Sequence, residues 1–189
     1  MSIGFELIIG FIAVIFVIGI VAYIVSVFNG LIRLKNSIKK SWANIDVLLK
    51  QRSDELPKLI SSVKGYMKHE RETLKALTKA RTDFLKAKTM SQKAAADGFI
   101  TSALKTIFAV AENYPNLKAN ENFIQLQNRI SGLENELADR REFYNDSVYN
   151  YNVRIQSIPD TFVARMLGYK DEEMFKVAEE DKKDVEVKF

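Results

Sequence analysis

The stretch LIIGFIAVIFVIGIVAYIVSVF, Leu7 to Phe28, contains no charged residue. As a helix rising 1.5 Å per residue it is roughly 33 Å long, against a hydrocarbon core of about 30 Å. This constrains the chain more than any other feature, because it predicts a membrane-crossing helix. A cleaved signal peptide would need a basic start, a shorter apolar core and a small-residue cleavage site. No Lys or Arg precedes this core, and no A-x-A-like site follows it. The expected division is a transmembrane anchor over 1–30, a helical bundle over 31–168 and an acidic tail over 169–189.

Orientation follows from the flanking basic residues. Glu6 is the only charged side chain before Arg33, while Arg33, Lys35, Lys39 and Lys40 follow the span. The N-terminus is therefore expected outside, and the rest of the chain in the cytoplasm. Gly19, Ala22, Ser26 and Gly30 recur at helical steps and form a stripe of small residues against which a second membrane helix could pack.

Beyond the span the apolar pattern is helical, so the fold class is all-α. Leu31, Leu34, Ile38, Trp42, Ile45, Leu49, Leu56, Leu59, Val63 and Tyr66 follow steps of three and four. Pro57 lies within this run and is expected to kink the helix without ending it. A second segment begins near Glu70, with Leu74, Leu77, Phe84 and Leu85 on one face. It weakens at KTMSQKAAADG and resumes at Ile100, Ala103, Ile107 and Val110. Pro115 stops it. The third runs from an N-cap at Asn120 through Phe123, Leu126, Ile130, Leu133, Leu137, Tyr144, Val148, Tyr151 and Ile155 to Pro159. Asp160 is expected to cap a short helix closed by Gly168.

Three segments of similar length joined by short turns predict an antiparallel bundle of three long helices, or four if the second breaks near residue 90. In the three-helix reading the first and third run parallel. The ENYPNLKAN turn would then lie near the membrane, and Phe162, Met166, Leu167 and Phe175 would form an apolar cluster at the distal end.

Polar residues interrupt the stripes. Arg52 occupies an apolar position, and Arg140 or Arg141 must cover the stripe between Leu137 and Tyr144. Asp46, Asp54 and Asp83 are candidate counter-charges, because an unpaired charge in a seam costs desolvation. The run REFYNDSVYNYN repeats Tyr-Asn three times. Its tyrosines continue the apolar stripe, and Asn145 and Asn152 are expected to hydrogen-bond across to another long helix. Asp46, Arg52, Asp54, Arg141, Asn145 and Asn152 thus form the expected polar joint.

Chemistry has little to work with. There is no Cys and one His, His69. Thiolate sites, His-His zinc spacing and a triad with a spare His are therefore excluded. No Gly-rich phosphate loop or nucleophile elbow occurs. No catalytic residue, cofactor or metal is expected. The net charge is +4, yet the last twenty residues hold eight acidic and five basic side chains, so the positive excess lies in the middle. Such an excess favours anionic surfaces. Bases mixed with acids, and no recognition motif, argue against nucleic acid as a partner.

Several stretches, in order, resemble the LemA family: SWANIDVLLKQRSDELPKLISSVKGYMKHE, AENYPNLKANENFIQLQNRI and RREFYNDSVYNYNVRIQSIPDTFVARMLGY. Asn116 replaces an Asp expected after the Pro. The resemblance covers nearly the whole chain and implies a bacterial protein anchored in the cell membrane by one helix, without an established catalytic activity. Its magnetosome relatives imply a role in organising a specialised membrane. The expected function is a non-enzymatic scaffold that self-associates and contacts membrane lipid and a membrane-protein partner. The alternative is an adaptor for a membrane protease or signalling partner, acting through the distal end.

Overall fold

A computed structural model describes residues 2–67 and 70–175. His69 and the tail beyond Phe175 lie outside the described residues. Every regular element among those described is a helix. In order they are α1 (Ser2–Lys64), α2 (Arg71–Lys86), α3 (Met90–Ala111), α4 (Pro115–Lys118), α5 (Glu121–Gln156) and α6 (Asp160–Met166).

Local chemistry sets most of these boundaries. α1 continues through Pro57, as expected, because the apolar stripe stays in phase on both sides. α2 and α3 are separate helices. Thr89 Oγ1 accepts from the Gln92 N–H, and Gln92 Oε1 accepts from the Thr89 N–H, forming a capping box that starts α3. Pro115 occupies the first turn of α4. Asn120 accepts from the Phe123 N–H at 3.1 Å and opens α5, as expected. Gly168 closes α6 at φ +72°, a conformation costly for residues with a Cβ. Asp160 is not the cap that was expected. It is the first residue of α6 and makes no capping bond.

The chain divides into two compact units, and α1 and α5 contribute to both. One unit joins the chain up to Trp42 with Phe143–Met174. Its core contains Val27, Leu31 and Ile38 of α1, Tyr144, Val148, Tyr151 and Ile155 of α5, and Val163 and Ala164 of α6. Burying an aliphatic side chain of this size contributes about 1.5–3 kcal/mol. Here α1 and α5 run in opposite directions. Tyr23 meets Asp160, Gly30 meets Arg154 and Ser41 meets Ser147, so rising numbers in one face falling numbers in the other.

The other unit comprises Ala43–Glu142 with Phe175. Ile45, Leu49, Leu56, Leu59 and Val63 of α1, Leu77 and Phe84 of α2, Ile100, Leu104 and Ile107 of α3, and Phe123, Ile130, Leu133 and Leu137 of α5 are buried. Leu85 and Tyr66, placed on the stripes by periodicity, are exposed. Met67 is buried just after α1 ends. Within this unit Asn120 Nδ2 reaches the Tyr66 hydroxyl at 3.4 Å, so the start of α5 meets the end of α1.

These contacts overturn the parallel arrangement of the first and third long segments. The expected second segment is two separate helices, α2 and α3, and α5 after them runs opposite to α1.

Candidate functional site

In the unit from Ala43, Arg52 is 2% exposed and Asp97 equally so. Arg52 Nη1 donates to Asp97 Oδ1 at 2.9 Å, and Nη2 donates to Thr101 Oγ1 at 3.0 Å. Nη2 also lies 2.7 Å from Glu134 Oε2, in a geometry that does not align as a hydrogen bond. Arg141 donates to the other Asp97 oxygen, and its guanidinium lies 5.1 Å from the centre of the Phe175 ring. Burial pushes the Asp97 carboxyl above its usual range, while the Arg52 and Arg141 charges pull it down.

Arg52 and Arg141 therefore belong to one polar joint, as expected, but with partners the sequence reading missed. Asp46 pairs with Lys93, and Asp54 pairs with Lys50 at the surface. Asp97 carries the signal that was overlooked: it stands in phase with Ile100, Leu104, Ile107 and Ala111, all buried on α3. A buried Arg on one stripe requires an acid on another. The joint borders an open cleft of about 330 Å³ lined by Arg52, Thr101, Glu134 and Arg141.

In the other unit the Tyr-Asn run grips the chain's own C-terminal segment. Tyr144 Oη donates to the Glu173 carbonyl at 3.1 Å, and Tyr151 Oη donates to the Lys170 carbonyl at 3.0 Å. Asn152 makes two bonds to Glu172: Nδ2 donates to its carbonyl and Oδ1 accepts from its N–H, both at 2.9 Å. Gln156 Nε2 donates to Asp171 Oδ1 at 2.9 Å. Lys35 lies 3.3 Å from a Glu172 carboxylate oxygen and 5.8 Å from the Tyr169 ring centre. The Tyr169 ring meets Tyr151 edge-on at 6.4 Å. Burial, then the Glu172 charge, raises both the Tyr144 and Tyr151 hydroxyl pKa values, which keeps each one a donor.

The partner expected for Asn152 was another long helix; its partner is instead the backbone of Glu172. A side-chain amide has the donor and acceptor needed to pair with one extended residue, and the tail supplies that residue. The first residues of the tail, Lys170–Glu173, are thus held against α5. Asn145 is half-buried in the same run.

At the α6 end, Tyr23 Oη donates to Asp160 Oδ1 at 2.6 Å, and Arg154 Nε donates to Asp160 Oδ2 at 2.8 Å. The Tyr23 hydroxyl, then Arg154, holds the Asp160 carboxyl below the usual carboxylate range. Arg154 also fills the space beside Gly30, where an added Cβ would stand 2.6 Å from Nη1. Gly30 therefore accommodates a side chain of this same chain, while Gly19, Ala22 and Ser26 remain exposed.

Phe162, Met166 and Leu167, expected at the distal end, lie on and just after α6, whose first residue contacts Tyr23 of the apolar stretch. They are exposed, whereas Phe175 is buried in the other unit. Phe162, Met166 and Leu167 thus belong to one unit and Phe175 to the other. The reason is again the reversed direction of α5. Of the basic residues after the span, Arg33, Lys39 and Lys40 are exposed, and Lys35 is engaged with the tail.

A model of the LemA family matches residues 41–189. Protein LemA of Metamycoplasma hominis is 30% identical over 163 residues, covering 84% of this chain and 73% of that protein. Magnetosome protein MamQ of Magnetospirillum gryphiswaldense is 31% identical over 80 residues, and magnetosome protein MamQ 1 of Paramagnetospirillum magneticum is 32% identical over 80. Each of these two matches covers 42% of this chain and 29% of the magnetosome protein's length. The family match over most of the chain and the 30% identity to Protein LemA over 84% of it agree with the motifs read from the sequence: the chain belongs to the LemA family.

Proposed function

We propose that this chain is a single-pass membrane protein without catalytic activity, which self-associates and organises lipid or membrane-protein partners at the cytoplasmic face. One observation carries the reading. The most apolar window of α1 has none of its residues buried, and the same unbroken helix continues into the core. A long exposed apolar surface requires lipid around it. α3 is also long and apolar enough to cross a membrane, but Ile100, Leu104, Ile107 and Ala111 on it are buried within the protein. That supports one crossing by α1.

Exposed Arg33, Lys39 and Lys40 support a cytoplasmic location for the folded units. The contacts of Arg52 with α3 and α5 support an antiparallel four-helix bundle in the unit from Ala43. The magnetosome names of two relatives support a role in membrane organisation. Self-association is assigned to Gly19, Ala22 and Ser26. The test is the size of the intact protein in mild detergent. Replacing Gly19 and Ala22 with Leu should lower the oligomer size; an unchanged size would remove self-association through this face.

A further inference from the structure

We propose that α6 and its flanks form a second membrane contact, an interfacial wedge that lies in the lipid headgroup region beside α1. It rests on the reading that α1 crosses the membrane, and adds a surface the sequence pattern placed elsewhere. Tyr23 belongs to the uncharged stretch, and its hydroxyl holds Asp160, the first residue of α6, at 2.6 Å. A residue pinned to the span within hydrogen-bonding distance shares the span's depth. Asp160 and Arg154 are charged, so that depth is the interface and not the hydrocarbon centre. Tyr23 itself suits this level, where an aromatic ring lies in apolar surroundings and its hydroxyl in polar ones. Glu6 and Tyr23 then bound the hydrocarbon at Leu7 to Ala22, a helix of roughly 24 Å that a locally thinned bilayer accommodates.

The outward face of this end is apolar. Ile158 is 79% exposed, Phe162 68% and Met166 67%, with Leu167 at 41%. Phe162 and Met166 lie one helical turn apart on α6 and Ile158 lies in the turn before it, while Thr161, Val163 and Ala164 of α6 are buried. Arg165 is exposed between them, and its long stem lets the guanidinium reach headgroups from an apolar bed. A short helix with bulky apolar residues and a base on its free side matches an interfacial element. Lipid is the occupant because this surface continues the exposed apolar surface of α1 at the place where Tyr23 joins the two.

The chain has no Cys, so single nitroxide labels can be placed cleanly. The intact protein is reconstituted into vesicles of phosphatidylcholine and phosphatidylglycerol, with labels on Phe162→Cys or Met166→Cys. Val14→Cys serves as the reference inside the span and Tyr149→Cys as the exposed reference on α5. The readout is the ratio of collisions with oxygen, which dissolves in lipid, to collisions with a nickel chelate, which stays in water.

Labels at 162 and 166 should give ratios several-fold above that at 149 and on the side of that at 14. Ratios equal to that at 149, with 14 in lipid, overturn the wedge and leave the anchor standing. A label at 14 that reads as water overturns both. Labels at 162 and 166 reached by neither reagent overturn the lipid assignment in favour of a protein covering this face. The two positions are independent, so a fold defect in one variant leaves the other as the test.

Discussion

Asp97 receives hydrogen bonds from two guanidiniums, Arg52 and Arg141, while Arg52 Nε and Arg141 Nε are buried with no hydrogen-bond partner among the described residues. Such a joint costs desolvation, and its value lies in fixing which helices meet. Asp97→Leu alone should destabilise the protein by up to about 3 kcal/mol, because only the part-exposed Glu134 carboxylate is left to offset the buried guanidiniums. Adding Arg52→Met should recover part of that loss. Urea unfolding of the intact protein in detergent measures both; a double variant no better than the single one would show that the joint is not a coupled unit. A second residue-scale test concerns Asn152. Asn152→Leu should speed amide exchange at Glu172, whereas Asn152→Asp should leave it slow, since a carboxylate still accepts that N–H. Equal acceleration by both would assign the protection to packing. The buried tyrosines of this run were legible, because Tyr144, Val148, Tyr151 and Ile155 keep the helical period. The target of Asn152 was not, because pairing with an extended tail leaves no periodic trace.

At the scale of elements, one short connection decided what the sequence could give. The Thr89–Gln92 capping box is a readable start signal, and the apolar stripe weakens at the same place. The direction of α5 depends on that break, because two helices in place of one turn it around. The stripes themselves, the Asn120 cap and the Gly168 stop needed only local chemistry and were legible. The contacts of Asp160 were hidden, since its partner Tyr23 lies 137 residues away. The Tyr23 and Arg154 bonds lower the Asp160 pKa in the folded protein. A lowered folded value means that ionised Asp160 contributes stability above its unfolded pKa, near the ordinary 3.8, and that this is lost as pH falls through the folded value. Asp160→Asn should lower the melting temperature at neutral pH. The gap from the native protein should close as pH falls below about 4. A gap constant across that range would mean that the carboxylate charge contributes nothing.

For the molecule as a whole, the direction of α5 determines what lies beside the apolar anchor. With α1 and α5 opposed, the chain after Pro159 returns to Tyr23, and the Tyr-Asn run and the tail it grips come to the Lys35–Trp42 part of α1. Parallel helices would instead have placed that run beside Leu59–Tyr66 and carried the α6 residues away from the span. The two arrangements are distinguishable covalently. Ser41 Oγ and Ser147 Oγ are 3.3 Å apart and buried, at a sequence separation of 106. In a chain free of cysteine, Ser41→Cys with Ser147→Cys should therefore form one intrachain disulfide under mild oxidation, visible as faster migration on a non-reducing gel. The bond closes a long loop, so it should also raise the unfolding free energy measured in denaturant, by an amount approaching about 4–5 kcal/mol if its geometry is unstrained. Failure to close under oxidant, with both thiols reacting freely and separately with an alkylating reagent in the folded protein, would reject the opposed pairing and with it the placement of α6 beside the membrane.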